Sequence, residues 1–284
     1  MDVKKNIQRY IDLHTHTTAS DGSMTPAELV RHAYEKGLAA VAVTDHDTVN
    51  GLEQAFEEGN KLGIEVISGI EISVSFTPEM HLLGYFFHGN HNSILKTLEE
   101  LRENREQRNP RIVSKLNELG FDITTSEVNS LAAGGIVGRP HIARAMIDKG
   151  YVASIEEAFD KYLGSGRPAY FEKDKLTPAE GISEIARAGG VPVLAHPIYL
   201  QFSTGRLDDL LEQLAAMGLK GIEAYYTENT AEQTVELLQL AHKHNLLVTG
   251  GSDFHGSFKP DIEIGSGRGS LRVPYSLLSK LKQA

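Results

Sequence analysis

A His-x-His pair near the start of the chain is the first feature of the sequence that could do chemistry. His14 and His16 follow the apolar residues Ile11 and Leu13, and this alternation predicts a β-strand. Side chains two residues apart in a strand point to the same face, about 6.5 Å from each other. Two imidazoles placed in this way can bind one metal ion. On a helix the same spacing would direct them to roughly opposite sides, so this interpretation depends on the predicted strand.

More histidines and carboxylates stand where predicted strands end. The apolar run 38–43, typical of a strand buried on both faces, leads directly into Asp45 and His46. A lone histidine beside a core strand is more often hydrogen-bonded structure than a metal ligand. Many such groups together are different, because burying them without cations would cost several kilocalories per mole apiece. The sequence therefore predicts a site for several metal ions, with these candidate ligands: His14, His16, Asp21, His46, Glu71, His81, His196, Asp253 and His255.

The elements expected to carry these residues repeat along the chain. A helix-capping sequence, Thr-Pro-Ala-Glu, occurs at 25–28 and again at 177–180, and each copy leads through a helical pattern and a glycine into an apolar strand. Repeated strand–helix units predict a parallel α/β barrel. In such a barrel the C-terminal ends of the strands meet at one face, where active sites are built. His81, near the start of its strand, fits this arrangement less well.

The repeat is interrupted between residues 93 and 167. This segment has helical stretches but none of the apolar runs typical of buried strands. We therefore expect a barrel formed by residues 1–92 and 168–284, with a helical insertion at 93–167 that covers the site. The insertion holds 11 Lys and Arg against 11 Asp and Glu, so the net charge of −10 belongs to the barrel.

Composition limits the classes of function. The net charge of −10 disfavours binding to long duplex nucleic acid, because that affinity comes from Lys and Arg neutralising phosphates. The chain has no cysteine, which leaves His, Asp, Glu and neutral oxygens as ligands, a set that suits Mn, Fe, Mg or Zn. No segment approaches the roughly 18 apolar residues of a membrane span, and no signal-peptide pattern precedes the first strand. A cytoplasmic protein is expected.

Taken in order, the motifs resemble those of the polymerase and histidinol phosphatase (PHP) superfamily. The matching segments are His14-Thr15-His16, Thr44-Asp45-His46-Asp47, Glu71, His81, Ala195-His196-Pro197 and Ser252-Asp253-Phe254-His255. The resemblance implies a distorted seven-stranded βα barrel that holds three metals. The insertion is similar to that of the TrpH-like branch through Gly138-Arg139-Pro140-His141 and Gly166-Arg167-Pro168. That branch comprises nucleoside 3′,5′-bisphosphate phosphatases and 5′-3′ exoribonucleases.

The resemblance also implies which residues hold each metal. Three divalent ions are expected, with Mn as the first choice and Fe, Zn or Mg as alternatives. Glu71 would bridge the first two ions, while Asp12, Asp45, Asp47 and Glu223 would orient the imidazoles. The implied ligand sets are His14, His16, Glu71 and Asp253 for the first ion, Glu71, His81 and His196 for the second, and Asp21, His46 and His255 for the third.

Metals held in this way are suited to phosphate-ester hydrolysis. Closely spaced divalent ions turn a bridging water into hydroxide near neutral pH and neutralise charge in the transition state. Asp253 and His255 are the expected catalytic residues. Asp253 would hold a metal that positions the hydroxide, and His255 or a metal-bound water would protonate the leaving group. The sequence lacks a Gly-rich phosphate loop and a nucleophile elbow, which argues against nucleoside-triphosphate and serine hydrolases.

Substrate recognition is expected to come from the insertion. Arg139 and Arg167 each lie between Gly and Pro, which fix an irregular backbone, and a guanidinium can bind phosphate oxygens through two hydrogen bonds. His141 would either join them or cap a helix. The expected substrates are nucleoside 3′,5′-bisphosphates, or short single-stranded RNA or DNA oligonucleotides attacked from the 5′ end. The alternatives are a small-metabolite phosphatase, such as a histidinol phosphatase, and a metal-binding regulatory module without catalysis.

Overall fold

The centre of the protein is one mixed β-sheet. The computed structural model describes residues 9–86, 92–132, 137–171 and 176–284, except for the side chains of 92, 93 and 101–106. In these residues eight strands pair in the order β7-β6-β5-β4-β3-β2-β1-β8. The strands are β1 Tyr10–Asp12, β2 Ala40–Val43, β3 Glu65–Val74, β4 Met80–Phe86, β5 Gly190–Leu194, β6 Gly221–Tyr226, β7 Leu247–Gly251 and β8 Val273–Pro274.

The sheet curls until its first and seventh strands meet. Leu13 donates a backbone hydrogen bond to Gly250 over 3.1 Å, and Asp253 donates one to His14 over 2.9 Å. Gly251 permits this approach, because a Cβ there would lie 2.3 Å from the Cβ of His14. The predicted distorted βα barrel is therefore confirmed, with β8 as an additional two-residue strand antiparallel to β1.

The direction of β4 corrects the expectation of an all-parallel barrel. β4 runs antiparallel to both β3 and β5. A short turn over residues 75–79 joins β3 to β4, and a turn of that length allows only an antiparallel neighbour, since a parallel crossover needs about a dozen residues or more. The reversal brings the start of β4, where His81 pairs with Ser73, to the face where the parallel strands end. His81 thus reaches the predicted site from the opposite chain direction.

Helices surround the barrel and form the segment between β4 and β5. The repeated caps behave as predicted: Thr25 and Thr177 each accept the backbone N–H of the glutamate three residues later. The helices are α1 Pro26–Glu35, α2 Leu52–Leu62, α3 Asn92–Glu118, α4 Thr125–Leu131, α5 Arg139–Asp148, α6 Ile155–Ala158, α7 Pro178–Arg187, α8 Thr204–Ala216, α9 Ala231–Lys243 and α10 Ser276–Leu281. Within the described ranges, no helix combines the length and apolar character that crossing a bilayer requires.

The segment from α3 to α6 has an apolar core of its own. Ile112 and Leu116 of α3 pack with Ile142 and Met146 of α5, separately from the clusters of the barrel. A π-helical turn over Phe159–Leu163 follows α6. This arrangement agrees with a helical insertion, and the exact domain boundaries remain a prediction.

The buried carboxylate of Asp12 is hydrogen-bonded to three parts of the barrel. It accepts backbone N–H bonds from His14 at 3.2 Å, from Ser252 at 2.9 Å and from Gly265 at 2.7 Å. One side chain therefore joins the segment after β1, the segment after β7 and the loop that leads to β8.

Replacing Asp12 with Ala should destabilise the protein by about 2–4 kcal/mol, because three buried N–H groups lose their acceptor. The measurement is the free energy of unfolding in urea. Asp208→Ala is the control: it removes contacts with Lys243 and His244 outside the barrel interior, and a loss below about 1 kcal/mol is expected. Equal losses in the two variants would contradict the role assigned to Asp12.

Candidate metal centre

The His-x-His pair lies just beyond β1, in an extended segment. His14 and His16 are fully buried, and their ring centroids are 5.2 Å apart. Thr15 points the opposite way and donates its hydroxyl proton to the backbone oxygen of Ala42 over 2.6 Å. The alternation expected of a strand therefore holds at this point, and both imidazoles face the mouth of the barrel.

Glu71 stands at the centre of the predicted ligands. It lies on β3 and is almost completely buried. Its Oε2 atom is 3.4, 3.2 and 3.2 Å from ring nitrogens of His14, His16 and His46, and its Oε1 atom is 2.8 and 2.9 Å from those of His81 and His196. Each oxygen thus faces a different set of imidazoles, as a bridging carboxylate requires.

Two further carboxylates complete the cluster on the other side of His16. The Oδ1 atom of Asp253 lies 3.2 Å from Nε2 of His16 and 3.6 Å from Nε2 of His14. Asp21 lies 3.6, 3.7 and 3.5 Å from ring nitrogens of His16, His46 and His255. The structure therefore brings all nine predicted side chains into one continuous cluster.

Four overlapping groups in this cluster have donor atoms close enough to share an ion. Within each group these atoms lie within 4.8 Å of one another. The groups are His16, Asp21, His46 and His255; His14, His16 and Asp253; His14, Glu71 and His196; and His46, Glu71 and His81. They resemble the three implied ligand sets, although the second implied set is divided between two groups. The assignment of ligands to individual ions remains a prediction.

Buried imidazole nitrogens provide a test of whether metals fit. In the described residues, five buried ring nitrogens make no well-aligned hydrogen bond, although each lies 3.2–3.6 Å from a carboxylate oxygen: Nε2 of His14, both nitrogens of His16, Nδ1 of His46 and Nε2 of His81. Buried polar atoms are nearly always hydrogen-bonded, so several exceptions in one cluster need an explanation. Bound divalent ions would supply it, because nitrogen and carboxylate oxygen are donors that suit Mn, Fe and Zn.

The electrostatics of the cluster are also those of a cation site. Burial opposes ionisation of Glu71, yet the facing histidines, first His46 and His81, hold the pKa of Glu71 well below its ordinary value. Burial lowers the pKa of His46 to about 3, whereas the carboxylates around His16 overcome burial and raise its pKa to about 9. Protons and metal ions therefore compete for the same nitrogens, and metal binding must release protons.

Glu223 on β6 orients two of the imidazole-bearing residues. Its Oε1 atom lies 3.1 Å from Nδ1 of His14, and its Oε2 atom accepts the backbone N–H of His196 over 2.8 Å. A carboxylate on one ring nitrogen leaves the other directed at a metal, as predicted for Glu223. Asp12 and Asp45 differ from that prediction: their hydrogen bonds come from backbone N–H groups and hydroxyls, such as Thr17 N–H at 2.7 Å from Asp45.

Backbone strain marks the same region. His196 and Asp253 have positive φ angles of 24° and 57°. Residues other than glycine rarely adopt this conformation, which costs free energy and is concentrated at functional sites. The surrounding barrel holds both residues there, and their side chains consequently join the cluster.

A cavity of about 530 Å³ opens above the cluster. Its floor includes Glu71, His196 and Asp253, and its walls come from two sources. Arg108, Arg139, Ile155 and Phe159 belong to the helices between β4 and β5, while Phe258, Lys259 and Arg268 belong to the segment after β7. Cationic, acidic and apolar side chains therefore surround a floor of histidines and carboxylates. The acidic residues of the wall are Glu79, Glu156, Asp160, Glu228 and Asp261.

The predicted substrate residues occupy three different environments. Arg139 lines the cavity, where its guanidinium pairs with Glu79 at 3.0 and 3.1 Å. His141 is buried and its Nδ1 accepts the N–H of Gly138 over 3.0 Å, which is the helix-capping alternative. Arg167 is exposed and is not among the described residues that line the cavity. Their part in substrate binding stays a prediction.

Three side chains beside the cluster were not predicted from the sequence as part of the site. Lys259 and Tyr226 both contact Asp253, and Tyr199 lies 3.0 Å from Tyr226, hydroxyl to hydroxyl. Tyr226 is the last residue of β6 and lies at the face where the other candidates lie, so its position at the end of a strand could have indicated that it belongs to the site. Lys259 stands in an irregular segment, where no periodicity indicates the direction of a side chain.

A family model for the PHP domain matches residues 12–172, more than half of the chain. The chain belongs to the PHP domain family. This PHP protein is 34% identical over 257 residues to the 5′-3′ exoribonuclease Rnm of Escherichia coli, covering 89% of this chain and 87% of Rnm.

Two further proteins are similar to this chain over nearly its whole length. A 3′,5′-nucleoside bisphosphate phosphatase from Chromobacterium violaceum is 29% identical and covers 90% of this chain and 90% of its own. A solved structure from Bifidobacterium adolescentis, described as a metal-dependent phosphoesterase, matches with a TM-score of 0.86 and 32% identity, covering 96% of this chain and 95% of its own. The resemblance found from the motifs is confirmed.

Replacing Glu223 with Gln should weaken metal retention by about 10- to 100-fold, because the carboxylate that orients His14 is lost. Competition with a chelator, followed by elemental analysis, measures this. Glu232→Gln is a matched control, since Glu232 is exposed on α9. Unchanged metal retention in Glu223→Gln would show that His14 needs no such support.

Proposed function

We propose that this protein is a metal-dependent phosphoesterase that hydrolyses nucleoside 3′,5′-bisphosphates, or removes mononucleotides from the 5′ end of short single-stranded RNA or DNA. The observation that carries the proposal is the cluster of nine His, Asp and Glu side chains, seven of them buried and His46 and His81 half-buried, at and beneath the floor of a cavity of about 530 Å³. The activities of Rnm and of the bisphosphate phosphatase support this substrate class.

Three divalent ions, with Mn as first choice, are the proposed cofactors. His14, His16, Glu71 and Asp253 would hold the first, Glu71, His81 and His196 the second, and Asp21, His46 and His255 the third. Bound there, such ions supply an activated water for attack on phosphorus and neutralise negative charge in the transition state. The elemental analysis above also tests their number: one equivalent or less in the metal-replete parent protein would contradict three ions.

The hydrogen bonding of His255 favours a ligand role over proton donation. Its Nδ1 lies 2.8 Å from the backbone oxygen of Asp253, which can only accept, so Nδ1 carries the proton. Burial, and next the charge of Lys259, lower the pKa of His255, so its ring is neutral at pH 7. Nε2 then presents a lone pair towards the cluster. Protonation of the leaving group by water is the better-supported alternative.

The cavity has features that suit a nucleotide. Phe159, Phe258 and Ile155 offer apolar contacts, and Arg139 and Arg268 offer positive charge in the same space. The helices between β4 and β5 contribute part of its wall, which leaves room for an unpaired terminus rather than a long duplex. A cytoplasmic location stays a prediction.

A substrate panel tests the proposal. Catalytic efficiency with added manganese should be highest on adenosine 3′,5′-bisphosphate or a 5′-phosphorylated oligoribonucleotide, because a second phosphate adds contacts that adenosine monophosphate lacks. Release of inorganic phosphate and of mononucleotides is measured. Equal efficiency on bisphosphate and monophosphate would remove the two-phosphate argument. A preference for histidinol phosphate would support the small-metabolite alternative, and no turnover on any substrate would support a regulatory module.

The two arginines of the Gly-Arg-Pro motifs should differ. Arg139→Ala is expected to reduce kcat/KM for the bisphosphate by about tenfold or more, since it removes a charged hydrogen-bond donor from the cavity wall. Arg167→Ala is the control, because Arg167 is exposed and should affect turnover less. Both variants are assayed on bisphosphate and monophosphate. Equal effects on the two substrates in Arg139→Ala would argue against recognition of a second phosphate there.

A further inference from the structure

The two carboxylate oxygens of Asp253 have different partners. Oδ1 faces the imidazoles of His14 and His16. Oδ2 accepts a hydrogen bond from the Tyr226 hydroxyl at 2.9 Å and another from Nζ of Lys259 at 2.7 Å. Two donors on Oδ2 already fix the orientation of this carboxylate, so one of them could be lost without freeing it.

The ammonium of Lys259 lies at the boundary between the cluster and the cavity. It lines the cavity together with Asp21, His255 and Tyr199, and its side chain is 30% exposed. An ammonium has three N–H donors, and Asp253 is its one hydrogen-bond partner in the described residues. Donors of Lys259 therefore remain for a ligand in the cavity.

The loop that carries Lys259 is held at both ends. Ser257 donates its backbone N–H to the hydroxyl of Ser23 over 2.8 Å, and Gly265 donates to Asp12 over 2.7 Å. Gly256 has a φ of 65°, and a Cβ there would lie 2.1 Å from the Ser23 hydroxyl. Lys259 is consequently placed before any ligand arrives, as electrostatic stabilisation of a reacting group requires.

Two other cations that line the cavity, Arg139 and Arg268, have different partners. Arg139 pairs with both oxygens of Glu79, and Arg268 pairs with Asp261 and Glu228. None of these three carboxylates is a predicted metal ligand, although Oε1 of Glu79 lies 3.5 Å from Nε2 of His81. Among these three cations, Lys259 alone is bonded to a predicted ligand.

We propose that Lys259 binds a phosphoryl oxygen of the group being hydrolysed, while its bond to Asp253 keeps it in place. The inference rests on the proposed phosphoesterase function and adds a substrate contact to it. The ammonium would donate hydrogen bonds and keep its proton.

A matched pair of variants separates this contact from mere support of Asp253. Lys259→Met and Tyr226→Phe each remove one hydrogen bond to the same Oδ2 atom, but only Lys259→Met removes a positive charge facing the cavity. Binding of inorganic phosphate to the metal-replete protein is measured by calorimetry, and bound metal by elemental analysis. Phosphate binding needs no turnover, so a failed substrate panel would not decide this result.

Phosphate affinity should fall by about 10- to 100-fold in Lys259→Met, the usual range for a charge-assisted hydrogen bond, with metal content unchanged. Tyr226→Phe should change the affinity by less than about threefold, and Lys259→Arg should recover part of the loss because it keeps the charge. Equal losses in Lys259→Met and Tyr226→Phe would overturn the proposal. Unchanged phosphate affinity in Lys259→Met would also overturn the proposal. Loss of metal in Lys259→Met would overturn it too, because Lys259 would then act only by supporting Asp253.

Discussion

Burial of mutually facing imidazoles and carboxylates is the constraint on which this structure depends. Glu71 contributes both oxygens to contacts with five histidines in an environment from which water is largely excluded. Such a cluster is tolerable only if positive charge balances the carboxylates and every nitrogen has a partner. Protons supply part of this balance, and bound divalent ions would supply it more completely because they would also satisfy the ring nitrogens that lack a well-aligned hydrogen bond. The proposed chemistry and the stability of the site thus both require positive charge among the carboxylates.

The barrel is built so that its closure assembles the cluster. The segment after β1 carries His14 and His16, the segment after β7 carries Asp253 and His255, and backbone hydrogen bonds join the two. Gly251 allows these backbones to approach, and Asp12 ties both to the loop that leads to β8. Closure of the barrel therefore makes neighbours of residues that are far apart in sequence. A defect in closure would disturb the ligand positions before it disturbed the outer helices.

Much of this arrangement could be predicted from the sequence, because strand periodicity and chain direction are local signals. Apolar runs ending in His or Asp gave the barrel and the position of its ligands. The direction of β4, which decides how His81 reaches the site, could also have been predicted, because the turn after β3 is too short for a parallel crossover. The pairings of Arg139 and Lys259 could not, since Glu79 and Lys259 lie in irregular segments, which carry no periodicity from which side-chain directions follow. Glu79, which pairs with Arg139, had no distinguishing pattern.

The pairing of cations in the cavity has a consequence for selectivity. Arg139, Lys259 and Arg268 are each matched with carboxylates, so the cavity presents positive groups without a large net positive charge. A long polyanion gains little from such a surface, because its binding depends on the sum of many uncompensated charges. A compact anion with several oxygens at defined positions can instead use the donors that the carboxylates leave available. Together with the net charge of −10, this favours small, multiply phosphorylated ligands over long nucleic acid.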